Sequence, residues 1–215
     1  MSFIKSHLKS LSLLSVIAGL LYNSWPLGHW LNPVVSKTSL ASGLEAVHQP
    51  YNWVFIGGDV LSSLIVIILY LFIWHKLRDA KSDRSINIAL ICMVLFGIGT
   101  IVDALLPLKC VQGIETCPSF THDYLLLTHG IFSILASTFL FISLLILWFR
   151  DRHNPLIDIF LFGYVVFGAV SLAEAVLPGK NGNWSQDYYI SLCSVWIAVV
   201  PYLVNQVLTL DSRSK

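Results

Sequence analysis

Six apolar runs dominate this chain, and each is long enough for a helix of about 20 residues that crosses a bilayer. They lie near residues 8–24, 53–75, 86–107, 123–149, 155–177 and 187–209. Charged residues make up only 12% of the sequence, whereas a soluble domain is about a quarter charged. The pattern predicts an all-α, polytopic membrane protein with six transmembrane helices, a single domain over residues 1–215 and membrane lipids as its surroundings. A net charge of +1 provides no excess of basic residues for binding nucleic acid.

Basic residues are concentrated in the segments that would share one side of the membrane with the N-terminus. Ten of the 13 basic residues lie there, and only Lys37, Lys109 and Lys180 lie on the other side. Because cytoplasmic loops carry an excess of lysine and arginine, both termini are predicted to be cytoplasmic. The first run could be mistaken for a signal peptide, but no small-residue cleavage site follows it, so we interpret it as a retained span.

The longest connection, at about residues 25–52, lies on the extracytoplasmic side in this orientation. Connections of this length are often functional when they lack structure of their own. Leu40, Leu44 and Val47 recur at helical spacing within residues 36–47, which predicts a short interfacial helix. His29, Glu45 and His48 are interpreted as solvated loop residues.

Two stretches of the chain repeat each other, and each carries an acid inside a predicted span. The first has Phe96-Gly97, then Asp103-Ala104 and Leu106-Pro107. The second has Phe167-Gly168, then Glu174-Ala175 and Leu177-Pro178 at the same spacing. The repeat predicts a duplicated helical hairpin, formed by spans three and four and again by spans five and six. Both copies start on the same side, as in a parallel repeat.

Spans two to five each offer one ionisable group in the half nearer the extracytoplasmic side. These groups are Asp59, Asp103, His129 and Glu174. Ionisable residues within spans normally face the bundle interior or a water-filled cavity. We therefore predict an outward-facing polar pocket, lined by these four residues, that binds a lipid headgroup or a small polar ligand.

Two other functions remain open from the residues alone. Ser133 lies one helical turn after His129, so Ser133, His129 and Asp103 could supply the parts of a lipid hydrolase. A metal-dependent form of the same hydrolase could hold zinc through His129, Asp103 and Glu174, although no spacing specific to a zinc site is present. A small transporter could couple ions or protons through Asp103 and Glu174. The sequence favours binding without catalysis, and any cofactor is unknown.

Two of the four cysteines lie in the predicted connection between spans three and four. Cys110 and Cys117 are close in sequence and would face an oxidising compartment, so a disulfide between them is predicted. Two free thiols are the alternative if the orientation is reversed.

Three segments resemble a known group of membrane proteins: HQPYNWVFIGGDVLSSL, GIGTIVDALLPLKC and THDYLLLTHGIFS. They look like an uncharacterised family of six-span bacterial proteins, the domain of unknown function 998. The resemblance covers spans two to four well and implies a location in the bacterial inner membrane. It also implies a shared set of family positions, namely Asp59, Asp103, Cys110, Cys117, His122 and His129.

A more distant likeness is to the alkaline ceramidases and adiponectin receptors, which are intramembrane zinc hydrolases. That likeness would imply a hydrolase built from serine, aspartate and histidine. This chain departs from the pattern, because it lacks their His-x-x-x-His pair and has six predicted spans where they have seven.

Overall fold

Six long helices form the molecule in the computed structural model, which describes residues 2–79, 84–111, 114–115, 123–176 and 184–213. Within these residues, six helices are long and apolar enough to cross a membrane, which confirms the predicted number of spans. The protein is therefore an integral membrane protein. The helices are α1 (Ser2–Tyr22), α2 (Asn52–Asp79), α3 (Arg84–Ala104), α4 (Tyr124–Arg150), α5 (Pro155–Val176) and α6 (Trp184–Arg213).

Side-chain caps and prolines set several helix boundaries. The Asp123 carboxylate precedes α4 and accepts hydrogen bonds from the backbone N–H groups of Leu125 (2.9 Å) and Leu126 (3.4 Å). The Asn154 side chain accepts from the Leu156 N–H at 3.2 Å, and Pro155 opens α5. Both patterns satisfy or remove N–H groups that have no partner in the first turn of a helix.

Helices that each cross the membrane alternate in direction, so successive connections lie at alternate ends of the bundle. Residues 25–51, here called the cap, lie at the end where α1 stops and α2 starts. Ser2 and Arg213 belong to the opposite end, so both described chain ends lie on the same side. Whether that side is cytoplasmic stays a prediction, as does the duplication of the two hairpins.

Small residues bring the helices into close contact. A Cβ atom added at Gly19 of α1 would lie 2.5 Å from the Ser194 carbonyl oxygen of α6. One added at Gly99 of α3 would lie 3.1 Å from the Ala136 Cβ of α4. Such small-residue contacts are typical of helix packing in membranes, where close backbone approach replaces the hydrophobic effect as a driving force. By contrast, α5 packs mainly on α6 and only lightly on α4.

The cap differs from the single interfacial helix predicted for residues 36–47. An α-helix over Pro33–Thr38 ends at Ser39, which has extended backbone angles, and a 3₁₀ turn over Ala41–Glu45 follows. Leu44 is only 1% exposed and packs with Phe55 in an apolar cluster under the cap. The prediction was wrong because the apolar side chains of this segment face the bundle instead of a membrane interface.

Candidate functional site

Three carboxyl groups from three different segments line one small cavity at the capped end. They belong to Glu45 in the cap, Asp59 in α2 and Asp103 in α3. The cavity has a volume of about 80 Å³, and much of its wall is polar. Such a space can hold several water molecules or a small polar group. Seven hydroxyl-bearing side chains complete the polar wall, namely Tyr22, Ser24, Ser42, Thr100, Ser133, Ser137 and Tyr189.

Glu45 is the member of this cluster that sequence reasoning missed. It was predicted to be solvated, yet it is only 8% exposed. Its neighbours Leu44 and Ala46 are buried in the apolar cluster under the cap, and this burial carries Glu45 inward with them. One signal was available in the sequence, because Glu45 is the single acid in residues 25–51.

The Glu45 and Asp59 side chains line the same cavity and are close enough to share a proton in a hydrogen bond. Two carboxyl groups can form such a bond only when one of them carries a proton, because an ionised carboxylate has no donor. Burial raises the pKa of Glu45 well above its usual range, and the nearby charges of Asp59 and Asp103 raise it further. Glu45 is therefore the natural holder of the shared proton.

His129 in α4 lies against the end of α3. Its Nδ1 is 3.1 Å from the carbonyl oxygen of Leu106 and 3.3 Å from that of Asp103. Two carbonyl acceptors require that Nδ1 carries a hydrogen and donates it. Nδ1 also lies 3.0 Å from Asp103 Oδ1, although that oxygen has no directed hydrogen bond within the described residues. The two carbonyl oxygens therefore accept the Nδ1 hydrogen, because the N–H group points towards them and not towards Oδ1.

Ser133 and His129 approach the same carboxylate. The Ser133 hydroxyl donates to Asp103 Oδ2 at 3.2 Å, while His129 faces Oδ1 of the same side chain. A nucleophilic serine instead needs a histidine that takes the serine proton, with the acid on the far side of the ring. In this arrangement Asp103 stands between the two other residues, so His129 is not a base paired with Ser133.

Glu174 lies apart from the other predicted site residues. It lines neither this cavity nor the larger one described below. Its carboxylate accepts a hydrogen bond from the Ser185 hydroxyl, which links the end of α5 to the start of α6. The structure therefore brings Asp59 and Asp103 to one cavity, with His129 beside Asp103, and places Glu174 where α5 packs on α6.

A larger cavity adjoins the acidic one and runs between α4 and α5. Its volume is about 660 Å³, and its wall is mainly apolar. His129 lines this groove, as do Phe141 and Tyr164. Five residues belong to the walls of both cavities, so the two spaces are neighbours; they are Ser42, Ser133, Ser137, Gln186 and Tyr189.

Zinc would require at least three suitable side chains in one place. Across the described parts of the chain, no three histidine, cysteine, aspartate or glutamate side chains form such a group. His129, Asp103 and Glu174 therefore do not form a zinc site in this arrangement, since Glu174 lies elsewhere.

The predicted disulfide and one family position cannot be placed. Cys117 and His122 lie outside the described residues, so the Cys110–Cys117 pairing stays a prediction. Cys92 and Cys193 are buried free thiols inside spans.

Comparisons with known proteins identify the family of this chain but no activity. No curated protein and no solved structure matches this chain, so the likeness to ceramidases and adiponectin receptors has no counterpart among them. The sequence profile described as "Protein of unknown function (DUF998)" matches residues 15–211, which is nearly the whole chain. The six-helix bundle with its acidic cavity therefore belongs to the DUF998 family of proteins of unknown function.

Proposed function

We propose that this protein binds a membrane amphiphile, with the polar headgroup in the acidic cavity and the hydrocarbon part in the groove between α4 and α5. The observation that carries the proposal is the shared wall of the two cavities, formed by residues such as Ser133 and Tyr189. A ligand with a polar end and an apolar end fits two adjoining spaces of matching character. Ligand pockets usually have volumes of about 300–1,000 Å³, and the groove falls in that range.

The groove is open on the side of the bundle. Ile134 of α4 and Val165 and Leu172 of α5 line it, and each is more than half exposed. These apolar surfaces belong to segments that cross the membrane, where they would contact hydrocarbon. A lipid could therefore enter sideways from the bilayer without passing through water.

Charge favours a headgroup that is neutral or cationic. Glu45, Asp59 and Asp103 line the acidic cavity, and no lysine or arginine is found among the described residues of either wall. A phosphate in this position would meet like charges with no compensating cation. Hydroxyl or ammonium groups would instead donate hydrogen bonds to the carboxylates.

The test is native mass spectrometry of the full chain purified in a mild detergent. Lipids with identical acyl chains and with hydroxyl, ammonium or phosphate headgroups are added in turn. We expect retention of the hydroxyl or ammonium lipid and weaker retention of the phosphate lipid. Equal retention of all three, or of none, would contradict the proposal.

A pair of variants on α5 separates binding in the groove from general lipid adhesion. Ala169 lines the groove, so Ala169→Trp fills it and should abolish retention. Ile159 lies on the same helix outside the groove and is 64% exposed, so Ile159→Trp should bind as the wild type does. Unchanged retention in Ala169→Trp would rule out the groove as the site.

A further inference from the structure

Residues 39–47, here called the plug, close the acidic cavity from the capped end. Leu44 and Ala46 are 1% and 0% exposed, and Glu45 between them reaches the cavity. Ala41 and Ser42 also line the cavity, so three of the plug's residues form part of its wall. Access to the cavity from this end therefore depends on whether the plug stays seated.

Few polar contacts hold the plug in place. The Val47 N–H donates to the Leu108 carbonyl at 2.7 Å, which is a strong bond. The Ser42 N–H reaches Gln186 Oε1 at 3.4 Å, and Asn52 Nδ2 reaches the Ala46 carbonyl at 3.4 Å, and both are long. The Ser39 N–H donates to the Val35 carbonyl at 2.9 Å and the Gln49 N–H to the Ala46 carbonyl at 3.1 Å, but both bonds lie within the cap. The remaining polar contact with the helix bundle is between Glu45 and Asp59.

That contact is unusual because the ionisable groups nearest to it on the described cavity wall are acids. Asp59 of α2 and Asp103 of α3 face Glu45, and Tyr22 of α1 and Tyr189 of α6 complete the titratable wall. His129 of α4 lies behind Asp103. The described wall contains no lysine or arginine that could neutralise a second or third carboxylate. Without the shared proton, Glu45 and Asp59 would become adjacent like charges in a poorly solvated space.

The backbone beyond the plug is poised for movement. His48 and Tyr51 have φ angles of 70° and 62°, a left-handed conformation that non-glycine residues adopt at a cost. Both lie between the plug and the first turn of α2. Release of the plug would let these two residues return to ordinary backbone angles.

We propose that the plug is a proton-dependent gate: the proton shared by Glu45 and Asp59 keeps residues 39–47 seated, and loss of that proton releases them. Raising the pH then opens the acidic cavity at the capped end. The gate does not depend on the nature of the ligand, so it can be tested on the protein alone.

Hydrogen exchange of the full chain in detergent, corrected for the intrinsic effect of pH, tests the gate. In the wild type, protection of residues 39–47 should fall by up to about tenfold per pH unit, as expected for release of one proton. The range from about pH 5 to about pH 9 spans a raised carboxyl pKa. Protection that stays constant over this range would overturn the proposal.

Variants identify the group responsible. In Glu45→Gln the amide donates permanently to Asp59, so protection of the plug should become independent of pH. Asp59→Asn provides a second route to the same result, because its amide donates to Glu45 and removes one of the two adjacent charges. Glu115 is an exposed acid at the same end, where it accepts a long bond from Gln49, so Glu115→Gln should behave as the wild type does. A wild-type pH response in both Glu45→Gln and Asp59→Asn would also overturn the proposal.

Discussion

Tyr70 of α2 donates a hydrogen bond of 3.0 Å to the carbonyl oxygen of Ile197 in α6. That carbonyl lies four residues before Pro201, which has no N–H to complete the helical bond. The Ser15 hydroxyl of α1 donates to the same oxygen. Two neighbouring helices therefore satisfy the one backbone acceptor that the proline leaves open in α6.

Replacing Tyr70 by phenylalanine should lower the free energy of unfolding by about 1–2 kcal/mol, because a buried acceptor loses a donor. Thermal unfolding in detergent measures the change. Tyr202→Phe is the matched control, since Tyr202 is 49% exposed and its hydroxyl only accepts a bond from Gln206. Equal effects of the two substitutions would contradict the role assigned to Tyr70.

A double-mutant cycle tests whether Pro201 creates the need for Tyr70. Pro201→Ala returns an N–H that can donate to the Ile197 carbonyl within α6. The cost of Tyr70→Phe should then shrink by about 0.5–1 kcal/mol in the Pro201→Ala background, as expected for residues that share one partner. Additive effects in the cycle would show that the two residues act independently.

Gly19 should be intolerant of even one added methyl group. A Cβ atom there would lie 2.5 Å from the Ser194 carbonyl oxygen, so α1 and α6 would have to move apart. Gly19→Ala should cost about 1–3 kcal/mol of stability. Gly57→Ala is the control, because nothing lies within 4 Å of its Cβ position and alanine favours a helix more than glycine does. Unfolding midpoints that fall equally would contradict the close contact.

The six spans were predictable because the length of an apolar run is a local property of the sequence. The run at 86–107, for example, corresponds to the helix Arg84–Ala104. The placement of Asp59 and Asp103 on one cavity follows from a general rule, that ionisable groups inside a span turn away from lipid. Neither inference requires knowledge of which helices are neighbours.

Positions that depend on distant packing could not be predicted. Glu45 enters the cavity only because Leu44 and Ala46 dock on the bundle, and no local pattern encodes that contact. Glu174 occupies the same place in its repeat as Asp103, yet it bonds Ser185 because α5 packs on α6. The two hairpins are therefore similar in sequence, but Asp103 and Glu174 lie in different environments.

His129 should stabilise the junction between α3 and α4. Its Nδ1 donates to the Asp103 and Leu106 carbonyls at the end of α3, and the Asp103 carbonyl also accepts from the Leu106 N–H at 3.0 Å. His129→Ala should lower the free energy of unfolding by about 1–3 kcal/mol. His153→Ala, at an exposed turn at the opposite end, should be close to neutral. A stable His129→Ala protein would instead indicate that the imidazole serves a ligand and not the fold.

Glu45 should make the stability of the protein depend on pH in a defined direction. Burial raises the pKa of Glu45 in the folded protein, whereas the unfolded chain has the ordinary value of about 4.3. Above that value the folded state binds more protons than the unfolded state, so stability falls as the pH rises. Glu45→Gln should therefore raise the free energy of unfolding near neutral pH, because the amide has no proton to lose. Unfolding should be measured near neutral pH and at about pH 4. At the lower pH the carboxyl is mostly protonated in both the folded and the unfolded state, so the variant and the wild type should differ little in stability. A Glu45→Gln protein that is less stable than the wild type near neutral pH would mean that Glu45 is held as a charged group by a partner stronger than Asp59.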